Sequence, residues 1–245
     1  FFSYISMNYP GFPIKMKKFF FSLVAIIGIA ISSYSQIPSI GLMHNKCLDN
    51  GFKASSSFNQ IVAQSVNCLN SSGLNIDEKS SSAIAEKLSS LNSSSSQDLY
   101  EKLLSVYKQG KSSLAIEYAN QIDNILSVIN DLPNIANENK ELYDNAIVKQ
   151  FESIRSNINK SKLTNDEFTQ LNNTIDIAIG SAIYWHDYQS GQNVQAKKWW
   201  QQIVTFVGND VLGAGAVMQV TYSALPPQAY VAAGLACSAY NMLYP

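Results

Sequence analysis

From Val211 to Pro245 the chain runs for 35 residues without one charged side chain: VLGAGAVMQVTYSALPPQAYVAAGLACSAYNMLYP. No other feature limits the fold as much. A helix that is apolar on every side belongs in a protein core or in a bilayer. Pro226-Pro227 divides the stretch into two arms, because proline lacks an amide N–H and restrains the residue before it. Gly213, Gly215, Ala216 and Ser223 fall on the first arm, and Ala229, Ala232, Ala233, Gly234, Ala236 and Ser238 on the second. Small residues at such spacings let two helix backbones approach closely. The expectation is an apolar helical hairpin with Asp210 capping its first arm. Three uses stay open: a buried core, a membrane-inserting hairpin, or a protein interface, the last two acting through residues 203–243. Each arm holds about 12–17 apolar residues, fewer than the roughly 20 that a span requires. Trp199-Trp200 after Lys197-Lys198 suits an interfacial anchor or the edge of a core equally well.

The chain ahead of the hairpin repeats apolar residues at helical spacing. Ser39 is a good N-cap, followed by Ile40, Met43, Cys47 and Leu48 on one face, and Gly51 with Ser55 to Ser57 ends or punctuates that helix. Further stripes follow at Phe58–Leu69, Ile84–Leu91, Leu99–Tyr107 (closed by Gly110) and Leu114–Ile129. Asp131 to Asn134, with Pro133, is expected to break the last of these. Leu142–Ile158 forms another. Thr164-Asn165-Asp166-Glu167 is a capping box, in which the threonine hydroxyl and the glutamate each take a free backbone N–H. Phe168–Ala182 and Trp199–Val207 complete the series. No strand-like alternation of useful length occurs. The fold class is all-α: about eight or nine helices with short loops, a helical domain over 36–190 and an apolar C-terminal helical region over 191–245 packed on it.

The beginning of the chain reads differently. Lys17-Lys18, an apolar run from Phe19 to Ile31, and small residues at Ser33 and Ser35 are the three parts of a secretory signal peptide over 16–35, with Gln36 the first mature residue. Met16 is the expected start, which makes residues 1–15 translated upstream sequence. The expected destination is periplasmic or extracellular.

Export makes a disulfide possible. Three cysteines are present, so at least one thiol stays unpaired. Cys47 and Cys68 sit on successive helices and can bridge if those helices are antiparallel neighbours; otherwise all three are small buried hydrophobes.

Charged residues make up 14% of the chain, against about 25% in typical soluble domains. Serine, with 33 copies, fills much of the deficit. The net charge of −1 and the lack of a basic stripe exclude the phosphate-neutralising surface that nucleic-acid binding needs. No phosphate loop, zinc motif, serine-hydrolase elbow or dinucleotide fingerprint occurs, so no cofactor and no metal is called for. Both histidines have polar neighbours. His44 lies with Asn45 and Asp49 on one expected helix, and His186 lies between Trp185 and Asp187. These six residues are the candidate functional or structural polar cluster. His186 near a helix C-terminus has an electrostatic role open to it. A hydrolase-like pairing of His44 with His186 as general base is the catalytic alternative, but no nucleophile or oxyanion donor accompanies it. An exported, non-catalytic binding protein is the leading expectation, and a membrane-active protein working through the hairpin is its other rival.

The signal peptide, His44-Asn45-x-x-Leu48-Asp49, Ser181-x-x-Tyr184-Trp185 and the Gly/Ala-rich tail together resemble a group of uncharacterised exported bacterial proteins, many with glycine-zipper-like C-termini. The resemblance implies export and helicity and brings no functional residue with it. The tail departs from the group's pattern in its irregular Gly/Ala spacing and in Pro226-Pro227.

Overall fold

The structure, a computed structural model, describes residues 39–138, 142–190, 196–221 and 225–245; the side chains of 39, 196–198 and 218 are outside that description. The expected leader, the residues before it and Gln36 fall outside the described residues, as does the 191–195 connection where the apolar region was expected to begin.

All regular structure among the described residues is helical. In chain order the helices are α1 (Ser39–Ala54), α2 (Phe58–Ser71), α3 (Glu78–Ser90), α4 (Ser96–Gly110), α5 (Ile116–Glu138), α6 (Tyr143–Ser156), α7 (Asn165–Ser190), α8 (Ala196–Val211) and α9 (Pro227–Leu243). α8 continues through a π-helical stretch, Leu212–Val217, and a last α-turn, Met218–Thr221. The side chains at the helix starts act as their chemistry dictates. Asp77 accepts from the Ser80 amide at 2.7 Å, and Ser95 from the Asp98 amide at 3.2 Å. At α7 the capping box closes in both directions: the Thr164 amide donates to Glu167 at 2.7 Å, and the Glu167 amide to the Thr164 hydroxyl at 3.1 Å. α9 begins with Pro227 in its first turn, where a missing N–H costs nothing.

α1 ends at Ala54, directly before the Ser55–Ser57 run, but Gly51 does not interrupt it, and the break expected at Pro133 does not occur in α5. At Gly51 the helix needs the absence of a side chain, since a Cβ there would lie 2.3 Å from the Ser65 hydroxyl and 2.8 Å from the Ile61 carbonyl. The glycine is thus the place where α1 and α2 touch, not a stop. At Pro133 a single N–H is lost, while Ile129, Leu132, Ile135 and Ala136 continue one buried face across it. Burial of that face outweighs one missing bond.

The apolar tail is the middle of the molecule. α9 packs against α1, α2, α3, α7, α8 and the π-helical stretch. From Ala229 to Ala239 every residue of α9 is buried. The Trp199–Thr221 helix is long and apolar enough to cross a membrane, and its apolar window is 82% buried inside the fold. α4, α5, α7 and α9 all pack on α8. Outside this pair, α1 crosses α7 backbone to backbone: a Cβ on Gly180 would lie 2.7 Å from the Cα of Gly41. Cys47 and Cys68 form a disulfide that ties α1 to α2, and Cys237 is a free, buried thiol.

Candidate functional site

The six residues singled out from the sequence divide between two places. His44, Asn45 and Trp185 face inward, to a polar cluster enclosed by α1, α7, α8 and α9. His186 and Asp187 turn the other way, to an aromatic face formed by the ends of α6, α7 and α8. Asp49 lies at the edge of the first cluster, accepting from the Tyr184 hydroxyl at 2.8 Å.

Asp210 anchors the inner cluster. It does not cap the hairpin's first arm, as the sequence suggested, because α8 starts well before it and carries it into the core with zero exposure. A buried carboxylate needs donors, and four side chains surround it. Ser181 donates at 2.7 Å, the Trp185 indole at 3.1 Å and the Asn241 amide at 3.3 Å, while Ser238 is also hydrogen-bonded to it. Burial pushes the Asp210 carboxyl above its ordinary value; the charge of His44 and the bonds from Ser238, Ser181 and Trp185 oppose that rise. The network continues through Asn241, which accepts from Asn209 at 2.7 Å, and Asn209 donates to the Ser96 carbonyl at 2.9 Å. On the other side His44 Nε2 lies 3.4 Å from Ser238 Oγ, and its Nδ1 lies 3.0 Å from Asn45 Oδ1. The Asn45 amide donates in turn to the Gly180 carbonyl at 3.0 Å, where α1 and α7 cross.

A serine, a histidine and an aspartate thus meet in one cluster, but not as a nucleophilic triad. In a triad the carboxylate orients the imidazole through Nδ1 and the serine faces a substrate. Here Asn45 holds Nδ1, the carboxylate bonds to the serines, and Ser181, Ser238, His44 and Asp210 all have zero exposure. The cluster ties four helices in register. Among the described residues His186 shares no hydrogen-bond or ring partner with His44.

The outer face is built on stacking. The Tyr143 ring lies on the His186 imidazole at 4.2 Å between centroids with 23° between planes. Trp199 and Trp200 close in at 5.4 and 5.8 Å from the same imidazole and 4.7 Å from each other. Tyr143 is fixed below, its hydroxyl donating to the Ala182 carbonyl at 3.4 Å. Asp187 is a loose neighbour of His186, at 3.5 Å and largely in solvent. Asp144 has its carboxyl raised by burial and by Asp187, with His186 pulling it back. The Trp199 indole N–H is buried with no hydrogen-bond partner among the described residues.

Trp200 also forms one wall of a groove of about 710 Å³ between α4, α5 and α8. Tyr100 and Gln97 of α4 face it, as do Asn130 of α5 and Gln201 and Thr205 of α8. Thr205 donates to Gln97 at 2.8 Å. The Asn130 and Gln201 amides and the Tyr100 hydroxyl have no hydrogen-bond partner among the described residues. The Tyr100 ring rests on Gly208, where a Cβ would lie 2.4 Å from the ring edge. Among the described residues no Asp, Glu, Lys, Arg or His lines this groove.

Sequence reasoning missed Asp210 as a network centre, and it missed Asn209, Asn241 and the groove. A signal for the network was present: Asp210 is the last charge before the 35 uncharged residues, and Asn241 is an isolated amide on an apolar arm. No comparable signal marks the groove, because its walls come from three helices. Among the described residues no three His, Cys, Asp or Glu side chains gather as a metal site would require. No protein-family model, curated protein or solved structure matches this chain.

Proposed function

We propose that this chain is an exported, non-catalytic binding protein that meets its ligand on the surface where the aromatic face and the α4–α5–α8 groove join at Trp200. The observation that carries this reading is a division of labour. The cluster that brings a serine, a histidine and an aspartate together (Ser181, Ser238, His44 and Asp210) is sealed away from solvent, while the accessible concavity is lined by aromatic rings and unpartnered amides. Ligand sites combine an apolar lining with a few placed polar groups, and this groove has both. The signal peptide supports export, and a disulfide is the kind of bond that persists outside the cytoplasm.

The membrane-active alternative would have to draw α9 out of its contacts with five other helices, exposing a fully apolar surface together with Asp210 and Asn241. That cost opposes it.

The test is a ligand survey by tryptophan emission with neutral and charged oligosaccharides, peptides and lipid vesicles. Saturable binding that is lost in Trp200→Ala, with no product formed, is the expected result. Turnover of any ligand, or binding that Trp200→Ala leaves intact, overturns the reading.

A further inference from the structure

We infer that the groove between α4, α5 and α8 takes a neutral oligosaccharide, an inference that rests on the binding reading above and names its ligand class. Four observations converge. First, no ionised side chain among the described residues lines the groove, so a charged ligand entering it would shed water and find no counter-charge from them. Second, the Asn130 and Gln201 amides belong to different helices lining the groove, and each offers a carbonyl and an NH2 group with no partner among the described residues. A sugar hydroxyl donates and accepts, so it pairs with either end of an amide. Third, Trp200 and Tyr100 present rings on which the apolar C–H faces of a pyranose can stack. The Tyr100 ring is seated in advance, because Gly208 leaves room for it against the α8 backbone. A pre-placed ring binds without the entropy cost of ordering it. Fourth, the groove's volume of about 710 Å³ lies in the range of small-ligand sites. It is also open to solvent rather than enclosed, so a sugar unit bound there can belong to a longer chain.

A proline-rich peptide is the other ligand that prefers aromatic-lined grooves. It suits this one less well, because proline has no N–H and such a segment brings carbonyl acceptors almost alone. The side-chain carbonyls of Asn130 and Gln201 would then face acceptors.

The experiment titrates the whole chain with neutral oligosaccharides of several linkages, following tryptophan emission and calorimetric heat. A proline-rich peptide is run in parallel. The expected result is saturable binding of at least one oligosaccharide with a dissociation constant below about 1 mM. Trp200→Ala and Tyr100→Ala should each weaken it at least tenfold. Asn130→Ala and Gln201→Ala sit at exposed positions and should weaken it while leaving thermal melting unchanged, which separates loss of contact from loss of fold. Three outcomes overturn the inference. If the peptide binds through Trp200 and no oligosaccharide does, the ligand class is wrong and the binding reading stands. If an oligosaccharide binds equally well to all four variants, the groove is not its site. If neither probe binds a folded chain, this inference falls, and the binding reading is judged by the charged oligosaccharides, other peptides and vesicles of its own survey.

Discussion

Reduction of Cys47–Cys68 offers a quantitative test of how the first two helices are held. The cysteines are 21 residues apart and Cys47 is fully buried. Closing a loop of that length removes chain entropy from the unfolded state worth about 3 kcal/mol at 25 °C. The native contacts are otherwise unchanged, because α1 and α2 already lie together through Gly51, Ile61 and Ser65. For a denaturant slope of about 2 kcal/mol per molar urea, the midpoint of unfolding should drop by about 1.5 M on reduction. The assay is urea denaturation followed by helical circular dichroism, on oxidised protein and on protein held reduced. Thiol counting on the denatured chain should give one reactive group before reduction, Cys237, and three after. Coincident midpoints would refute the reasoning, and so would three thiols in the unreduced chain. A loss near 1 kcal/mol would show that the reduced, unfolded chain keeps α1 and α2 associated.

Gly180→Ala should destabilise the fold by about 1–3 kcal/mol despite alanine's better helix propensity, because the new methyl meets the Gly41 backbone rather than a movable side chain; thermal melting checks it. Thr164→Ala should cost about 1 kcal/mol by opening the capping box, read from the same melts. Burial raises the Asp210 carboxyl, so the folded chain keeps that proton to a higher pH than the unfolded chain does. Its contribution is therefore full below the unfolded carboxyl value of about 4 and declines as pH rises through the folded value. Urea midpoints measured from acid to neutral pH should consequently fall more steeply for the wild type than for Asp210→Asn, and parallel curves would contradict this sign.

The helices were legible because each carries its own signal. Leu99, Leu103 and Tyr107 share a face by spacing alone, and Thr164 and Glu167 mark a start through backbone chemistry that needs no tertiary context. What spacing does not give is the identity of the element across the gap. Gly51 and Pro133 look like stops when only local propensity is weighed, yet packing on α2 and an uninterrupted buried stripe decide the matter. Asp210 beside an apolar run reads as a cap until the helix is known to begin fourteen residues earlier, at Ala196. His44 and Trp185 could be picked out as unusual, whereas Ser238, the partner of His44, is 194 residues away from it and looks like one more small residue in a small-residue arm. The groove is less visible still, since Tyr100, Asn130 and Trp200 belong to three separate stripes and none is exceptional in its own.

The placement of α9 has a consequence for biosynthesis. α1 can close on α2 and later on α7, but the one partner that α1, α2 and α3 share lies in residues 227–243, so the three have no common face to close on until that segment has been made. Contacts of such long sequence separation form slowly and late. For most of its time on the ribosome the chain is a row of amphipathic helices in search of an axis. Any chaperone or conduit that handles it then meets unfolded, sticky surface rather than a finished protein.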